Sequence, residues 1–266
     1  MSGVTCTSCG VVVRFLRTSS AFAWSNRPNP IINTVTTTTT HRGLHYHLHL
    51  PTLLQLSSPP AMAAASASSR VSTVSNGGGG LTRFPLSPSN DLVIQKGDIT
   101  QWFVNGATDA IVNPANELML GGGGADGAIH RAAGPDLLQA CYNVPEVRPG
   151  VRCPTGEARI TLGFRLPASH VIHTVGPIYN VDSNPQASLR NAYRNSLSVA
   201  KDNNIQYIAF PAISCGVYGY PYDEAATIAI STVKHFANDF KEVHFVLFSP
   251  DICNVWLNKA SELLKH

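Results

Sequence analysis

A short stretch near the middle of the chain combines two amide side chains, a glycine run and a carboxylate. Asn113 and Asn116 follow the apolar residues 110–112, and Asp126 comes just after the four glycines 121–124. Because glycine has no Cβ, such a run can bring its backbone against a bulky anion. Amides that lead into a helix N-terminus bind phosphate. The glycine run therefore predicts a phosphate-bearing ligand. The two amide side chains and the carboxylate indicate that other parts of the ligand are also recognised and that a reaction takes place near the phosphates.

A second glycine-containing loop, residues 214–219, follows another apolar segment. The glycine run at 121–124 is not a Walker loop, which requires a lysine after its last glycine. It is not a dinucleotide fingerprint either, because it lacks G-x-G-x-x-G spacing. Two glycine loops that each follow a strand favour a diphosphate held between them.

Alternating apolar segments predict the elements that position these loops. β-Branched and apolar runs predict strands at residues 92–95, 110–112, 159–161, 171–174, 207–211 and 243–248. Amphipathic spacing predicts helices at residues 126–133, 135–142, 187–203, 222–238 and 253–265. This alternation predicts one three-layer α/β/α domain.

Polar residues that follow strands are candidate site residues, because ligands of such sheets bind at the carboxyl ends of the strands. Asp126 and His130 are four residues apart, so they would share a helix face. Each candidate also has a structural alternative. Asp98 and Asp126 could cap helices, Asn113 and Asn116 could form turns, and His130 and His173 could pack in the core. The position of His173 at the end of an apolar run nevertheless favours the cleft edge.

The charge of the chain is unevenly distributed. Residues 1–90 contain six arginines, no lysine, no acidic residue and 26 serines and threonines, whereas the remainder holds 13 basic and 16 acidic residues. The overall charge of +3 is the sum of +6 and −3, and it does not indicate nucleic-acid binding. An acid-free, hydroxyl-rich segment is typical of an organelle transit peptide.

We therefore predict a transit peptide and linker at residues 1–80 and a folded domain at residues 81–266. A chloroplast is favoured over a mitochondrion; alternatively, translation starts at Met62 and the protein stays in the cytosol or nucleus. No run approaches the ~18 apolar residues of a membrane span, and no His, Cys, Asp or Glu cluster has metal-ligand spacing. We expect no membrane, metal or cofactor.

Six segments resemble the macrodomain family, and within it the MacroD-type branch. They are GDIT (97–100), VNPAN (112–116), GGGGADGAIHRAAG (121–134), TGEARIT (155–161), VIHTVGP (171–177) and FPAISCGVYGYP (210–221). The resemblance covers residues 92–221 and implies an ADP-ribose pocket on an α/β/α fold with a mixed, about six-stranded sheet. The branch often has Thr, Phe and Ala where this chain has Cys215, Tyr218 and Pro114, and none of these departures removes a polar group that the chemistry requires.

The resemblance implies a role for each candidate. The Asp98 carboxylate would accept from the adenine amino group, the Ile99 backbone would meet the adenine ring, and Phe248 would lie beside it. Asn113 and Asn116 would reach the distal ribose, the one far from adenine. Backbone amides of two loops would wrap the diphosphate, from Gly122, Gly123 and Gly124 in the first and Ser214, Cys215, Gly216, Val217 and Tyr218 in the second, with the Tyr218 ring beside the ribose.

The resemblance also implies hydrolysis of ADP-ribose esters, either on protein Asp or Glu or in O-acetyl-ADP-ribose. Asp126 is then the candidate base, Asn116 fixes the ribose and the water, and His130 orients Asp126 or assists proton transfer. The expected partners are these ligands and ADP-ribosylated proteins. A non-catalytic ADP-ribose reader and a phosphatase acting on ADP-ribose 1″-phosphate are the alternatives.

A chain that begins at Leu81 should bind ADP-ribose as tightly as the full chain, because residues 1–80 hold no candidate site residue. Calorimetric titration of both forms tests this. A tenfold weaker affinity, about 1.4 kcal/mol, would place part of the site in the removed segment.

Overall fold

The computed structural model describes residues 72–74 and 80–264. The predicted transit peptide, the alternative start at Met62 and most of the glycine linker at residues 77–80 lie outside the described residues. The organellar location therefore stays a prediction.

The described residues form one mixed sheet of eight strands. The strands are β1 (Ser72–Val74), β2 (Leu81–Ser87), β3 (Asn90–Lys96), β4 (Asp109–Pro114), β5 (Ala158–Leu162), β6 (His170–Thr174), β7 (Tyr207–Phe210) and β8 (Glu242–Leu247), in the spatial order β1-β2-β3-β8-β7-β4-β6-β5. All six predicted strands are present, but the predicted number is two too low. β2 was missed because Pro85 interrupts its apolar pattern, which is tolerated in this outer, antiparallel part of the sheet.

Five neighbouring strands run parallel and carry the loops predicted to bind the ligand. β3, β8, β7, β4 and β6 pair in parallel, whereas β1, β2 and β5 are antiparallel at the two sides. The carboxyl ends of the five parallel strands therefore meet at one edge of the sheet.

Five helices cover the two faces of the sheet. They are α1 (Gly124–Ala133), α2 (Pro135–Tyr142), α3 (Pro185–Asp202), α4 (Tyr222–Lys234) and α5 (Pro250–Leu263), and a short 3-10 helix spans Ile99–Gln101. Asn184 and Ser249 cap α3 and α5 with their side chains, each followed by a proline at the first helical position. Gly134, at φ +84°, separates α1 from α2 as the sequence predicts.

Alternate residues of each strand enter two separate cores, as a pleated strand requires. Ile111 of β4 and Val171 of β6 pack with α1 and α2, whereas Val112 and Ile172 pack with α3, α4 and α5. The three-layer architecture is thereby confirmed. Within the described residues, no helix combines the length and apolar character needed to cross a membrane.

An ionic cluster joins β2 to the interior of the sheet. Arg83 Nη1 donates to Glu242 Oε1 at 2.8 Å and to Asp91 Oδ2 at 3.1 Å, and the buried His244 Nε2 lies 2.8 Å from Glu242 Oε2. Hydrogen bonds from His244 and then from Arg83 lower the pKa of Glu242 to about 2. A carboxyl group with a lowered pKa stabilises the fold above its unfolded pKa of about 4.3 and loses this contribution as the pH falls toward 2.

Replacing Glu242→Gln should lower the free energy of unfolding by about 1–3 kcal/mol at pH 7, because Arg83 loses its charged partner. The variant should also lose less stability than the wild type between about pH 4.5 and pH 2. Urea unfolding at several pH values measures both effects. Glu262→Gln, in an exposed pair with Lys259, should change little. An unchanged acid dependence in Glu242→Gln would contradict the assignment.

Candidate functional site

A cavity of about 700 Å³ opens at the carboxyl edge of the parallel strands. This volume lies within the range of small-molecule sites. The segment after each parallel strand contributes to its wall: residues 97–99 after β3, 114–116 after β4, Gly176 after β6, residues 211–218 after β7 and Phe248 after β8. The first turn of α1 completes it with residues 122–126. The structure thus brings the predicted loops together.

The two glycine loops offer backbone amides rather than cationic side chains. Among the described residues that line the cavity, none is a lysine, an arginine or a histidine. Gly121 and Gly124 have φ values of +85° and +56°, which favour glycine. A Cβ at Gly127 would lie only 2.4 Å from the Gly122 carbonyl oxygen, so the loop packs directly on α1. The first amides of α1 have no partner within the helix, and they face this space for an anion.

Asp126 places a nearly buried carboxylate in the wall of the cavity. The residue is 4% exposed, and its Oδ1 accepts from Asn113 Nδ2 at 2.8 Å. His130 Nε2 lies 3.5 Å from the same oxygen. The N-cap of α1 is Gly123, with no side-chain capping bond. The interpretation of Asp126 as a helix cap is therefore wrong.

Burial is the largest influence on the Asp126 carboxyl group. It raises the pKa of Asp126, while the Asn113 hydrogen bond and the nearby His130 act in the opposite direction. A carboxylate with a raised pKa is a stronger base than a solvated one. The position of Asp126 at the cavity wall makes that basicity available to a ligand.

Asn116 and the second oxygen of this carboxylate lie beside the same glycine. A Cβ at Gly122 would lie 3.0 Å from Asp126 Oδ2 and 3.3 Å from Asn116 Nδ2, so both polar groups converge on this glycine. Asn116 Nδ2 donates to the Gly121 carbonyl at 2.9 Å, and its Oδ1 accepts from the Leu118 amide at 3.1 Å. Asn116 therefore forms a turn, as one interpretation predicted, and lines the cavity as well.

Asn113 and His173 lie behind Asp126 rather than in the cavity wall. Both are fully buried, and neither belongs to the lining of the cavity. Asn113 is paired with Asp126 and with His173 Nδ1, at 3.1 Å. His173 is thus a core histidine, and its expected place at the cleft edge is wrong. A direct contact of Asn113 with a ribose stays a prediction.

Asp98, Ile99 and Phe248 also line the cavity. Asp98 Oδ1 caps the 3-10 helix by accepting from the Thr100 amide at 2.9 Å and from its hydroxyl at 2.8 Å. The side chain is exposed, so Oδ2 stays available to a ligand. Phe248 is 84% exposed just after β8, which ends one residue earlier than predicted. Asp98 is therefore both a cap and a candidate ligand acceptor.

The second loop closes over the cavity from the β7 side. Ser214 adopts a φ of +64°, and a Cβ at Gly176 would lie 2.2 Å from Ser214 Oγ, so the loop approaches the end of β6 closely. Cys215 is buried, Gly216 and Val217 are exposed, and Tyr218 is half-buried. The loop thus presents backbone and one aromatic ring to the cavity.

Among the described residues, one cluster consists of side chains of the types that bind metal ions. Ligand atoms of His130, Cys141 and His173 all lie within 4.8 Å of one another. Both ring nitrogens of His173 have hydrogen-bond contacts, with Asn113 Nδ2 and with Thr161 Oγ1. Burial raises the pKa of the Cys141 thiol to about 12, whereas metals bind the thiolate. This group fits a hydrogen-bonded core better than a metal centre.

Sequence reasoning missed part of the cavity wall. Gly97, Gly176, Leu247 and Ile252 also line it. Gly97 and Gly176 lie within the recognised segments 97–100 and 171–177, and their position after strands could have indicated them as site residues. No local pattern marks Ile252, because it comes from α5 at the far end of the chain.

Comparison with known proteins agrees with this architecture. The family model described as Macro domain matches residues 112–229. A macro domain-containing protein of Vibrio parahaemolyticus is 50% identical over 173 residues, which cover 65% of this chain and 99% of the relative. A protein of Klebsiella pneumoniae named O-acetyl-ADP-ribose deacetylase is 54% identical over 153 residues, which cover 57% of this chain and 84% of the relative.

Solved structures show the same fold. The Oceanobacillus iheyensis macrodomain with ADP has a TM-score of 0.64 and 45% identity, over 69% of this chain and 96% of that one. The Trypanosoma brucei macrodomain in complex with ADP-ribose has a TM-score of 0.56 and 38% identity, over 65% and 72%. Fold, motifs and relatives agree, and the chain belongs to the macro domain family.

Proposed function

We propose that this protein binds ADP-ribose and hydrolyses ADP-ribosyl esters, including O-acetyl-ADP-ribose and ADP-ribosyl groups on protein Asp or Glu. The observation that carries the proposal is the nearly buried Asp126 carboxylate, whose Oδ2 and the Asn116 amide converge beside Gly122 in the cavity wall. A pocket that only binds the ligand does not need a base there.

The groups that line the cavity match the successive parts of ADP-ribose, from the adenine to the distal ribose. Asp98 Oδ2 would accept from the adenine amino group, and Ile99 and Phe248 would contact the ring. The loops at residues 122–124 and 214–218 would surround the diphosphate with amides, which accounts for a lining without cations. The distal ribose would then lie beside Asn116 and Asp126. A neighbour solved in complex with ADP-ribose and a relative named O-acetyl-ADP-ribose deacetylase support ADP-ribose as the ligand.

Solved variants of a structural neighbour support the choice of catalytic residues. In the Oceanobacillus iheyensis macrodomain, variants replace an asparagine, a glycine seven residues later and an aspartate three residues after that. The same residue types and spacings occur here at Asn116, Gly123 and Asp126. The glycine variant of that protein was solved with ADP-ribose.

The chemistry follows from the position of the base. Asp126 removes a proton from a water molecule that Asn116 and the substrate diphosphate hold, and the water oxygen attacks the ester. The ester C–O bond breaks, the ribose oxygen takes up a proton, and ADP-ribose and a carboxylate leave. The dianionic diphosphate nearby further favours the protonated acid in the substrate complex. His130 Nε2, which has no hydrogen-bond partner among the described residues, lies 3.5 Å from the carboxylate and would orient it or assist proton transfer.

Asp98→Ala should weaken ADP-ribose binding by about 1.5–3 kcal/mol, since a charge-assisted hydrogen bond is lost. Because Asp98 also caps the 3-10 helix, Asp98→Asn is the matched variant: it keeps an oxygen for the cap and turns an amide toward the ligand. Calorimetry should show weaker binding in both variants, with the melting temperature lowered only in Asp98→Ala. Normal affinity in Asp98→Asn would make Asp98 a structural cap alone.

Asp126→Asn should lower the rate of ADP-ribose release from O-acetyl-ADP-ribose and from aspartate-modified protein by about 10²–10⁴-fold, because it removes the base and keeps the shape. Asn116→Ala should act in the same direction. Both should reduce ADP-ribose affinity far less, since the loops and Asp98 supply most ground-state binding. Asp136→Asn, which changes an exposed acid in the first turn of α2, should leave the rate unchanged.

The outcomes separate the alternatives. If the wild type binds ADP-ribose but releases none from any ester, the protein is a reader, or a phosphatase when ADP-ribose 1″-phosphate is cleaved instead. If the wild type is active and Asp126→Asn keeps its rate, Asp126 is not the base.

A further inference from the structure

We propose that His173 is a positioning residue that orients the Asp126 carboxylate through the side chain of Asn113. This proposal rests on the proposed function, in which Asp126 is the base. His173 itself lies outside the cavity lining, so it acts on the reaction only through its neighbours.

Strand register brings the two residues together. Asn113 and His173 are paired positions of the parallel strands β4 and β6, so their side chains leave the sheet on the same face. Asn113 Nδ2 lies 2.8 Å from Asp126 Oδ1 and 3.1 Å from His173 Nδ1. One amide nitrogen therefore joins the core histidine to the carboxylate.

The hydrogen bonds fix the proton positions in this chain of groups. An amide nitrogen only donates, so His173 Nδ1 accepts from Asn113 and the ring carries its proton on Nε2. Nε2 lies 3.0 Å from Thr161 Oγ1, whose hydroxyl donates to the Leu162 carbonyl at 3.2 Å. Thr161 Oγ1 thus accepts a hydrogen bond from Nε2–H. Asn113 Nδ2 donates both to Asp126 and to His173, and the donations continue from His173 through Thr161 to the Leu162 carbonyl.

The contact with Asp126 determines which way the Asn113 amide points. With the amide reversed, Oδ1 would face the Asp126 carboxylate, and this contact would be repulsive. In the observed orientation, Asn113 Oδ1 is buried and has no hydrogen-bond partner among the described residues. A buried unpaired oxygen is unfavourable. The orientation therefore persists because the two hydrogen bonds that Asn113 Nδ2 donates are worth more than the unpaired oxygen costs. His173 accepts one of those two bonds.

The titratable groups around Asp126 come from several elements. His130 faces it from α1, Cys141 from α2, Tyr218 from the loop after β7, and His173 stands behind Asn113 on β6. Burial lowers the pKa of His173 to about 3. His173 therefore stays neutral over the pH range in which Asp126 ionises. It supplies a hydrogen-bond acceptor whose charge does not change over that range.

A matched pair of variants tests the proposal. His173→Leu and His173→Asn both remove the ring, but only the asparagine can place an acceptor oxygen near the former Nδ1 position. We expect His173→Leu to lower kcat on O-acetyl-ADP-ribose by about tenfold to a hundredfold through misplacement of the base, with ADP-ribose affinity within about twofold of wild type. Its acid limb of kcat/KM should move to higher pH, because the Asn113 bond that favours the charged Asp126 is loosened.

His173→Asn should restore most of the rate and the wild-type acid limb. Cys141→Ala removes a thiol 3.8 Å from His173 Nε2 but leaves Nδ1 and its bond from Asn113 in place, so it should change neither. Equal losses in His173→Leu and His173→Asn would show that the ring acts only by packing and would overturn the proposal. A large loss in Cys141→Ala would overturn it also.

Nuclear magnetic resonance gives readouts that do not depend on turnover, and the first of them uses only the wild-type protein. Nitrogen-resolved histidine spectra should show His173 as the neutral Nε2–H tautomer from pH 5 to 8. Carboxyl-carbon titration should show a higher Asp126 pKa in His173→Leu than in wild type. An Nδ1–H or charged His173 would overturn the proposal. A wild type that hydrolyses no ester would instead remove the proposed function, while the tautomer and the Asp126 titration would still decide whether His173 orients the carboxylate.

Discussion

The burial of one carboxylate constrains most of this site. Asp126 is 4% exposed, and a buried charge is costly unless it is hydrogen-bonded. The bond from Asn113 meets this requirement, and it exists because β4 ends beside the first turn of α1. The same burial raises the pKa of Asp126 and so gives a common side chain the basicity that water activation needs. Fold stability and proposed chemistry depend here on one contact.

A different constraint acts on the glycine loop, because its backbone lies very close to neighbouring atoms. The Gly122 carbonyl would lie 2.4 Å from a Cβ at Gly127, and a Cβ at Gly122 would enter the space between Asp126 and Asn116. Glycine is therefore required for packing on one side and keeps the space beside the proposed base, Asp126, open on the other. Because the lining of the cavity has no cationic side chain among the described residues, oriented backbone amides are the groups left to face a diphosphate.

In the proposed binding mode, recognition and chemistry occupy different parts of the site. Asp98 and Phe248 follow β3 and β8 on one side of β7, and Asn116 follows β4 on the other side. The loop after β7 lies between them. A ligand with a nucleobase, a diphosphate and a terminal sugar fits this order. In the proposed mechanism, binding energy gathered far from the reacting bond holds the terminal ribose against Asp126.

Much of the fold could be predicted from sequence because its signals are local. Apolar runs indicated all six strands from β3 onward, and prolines and glycines marked where α2 begins. The weakly apolar β2 was missed, since an outer antiparallel strand takes its stability from pairing with β3 rather than from its own pattern. Helix ends also differ by a few residues, as α4 ends at Lys234 instead of residue 238, because helix ends depend on neighbouring contacts.

The sequence by itself determined the types and order of the site residues: two asparagines, a glycine run and an aspartate, with a second glycine loop later in the chain. Only the tertiary structure decided their roles. Asp126 and Asn113 could each have been a cap or a turn former, and His173 could have lain in the cleft. Parallel pairing of β4 with β6 placed His173 behind Asn113, and helix α1 turned Asp126 inward. Those contacts join residues distant in the chain, so no local pattern could specify them.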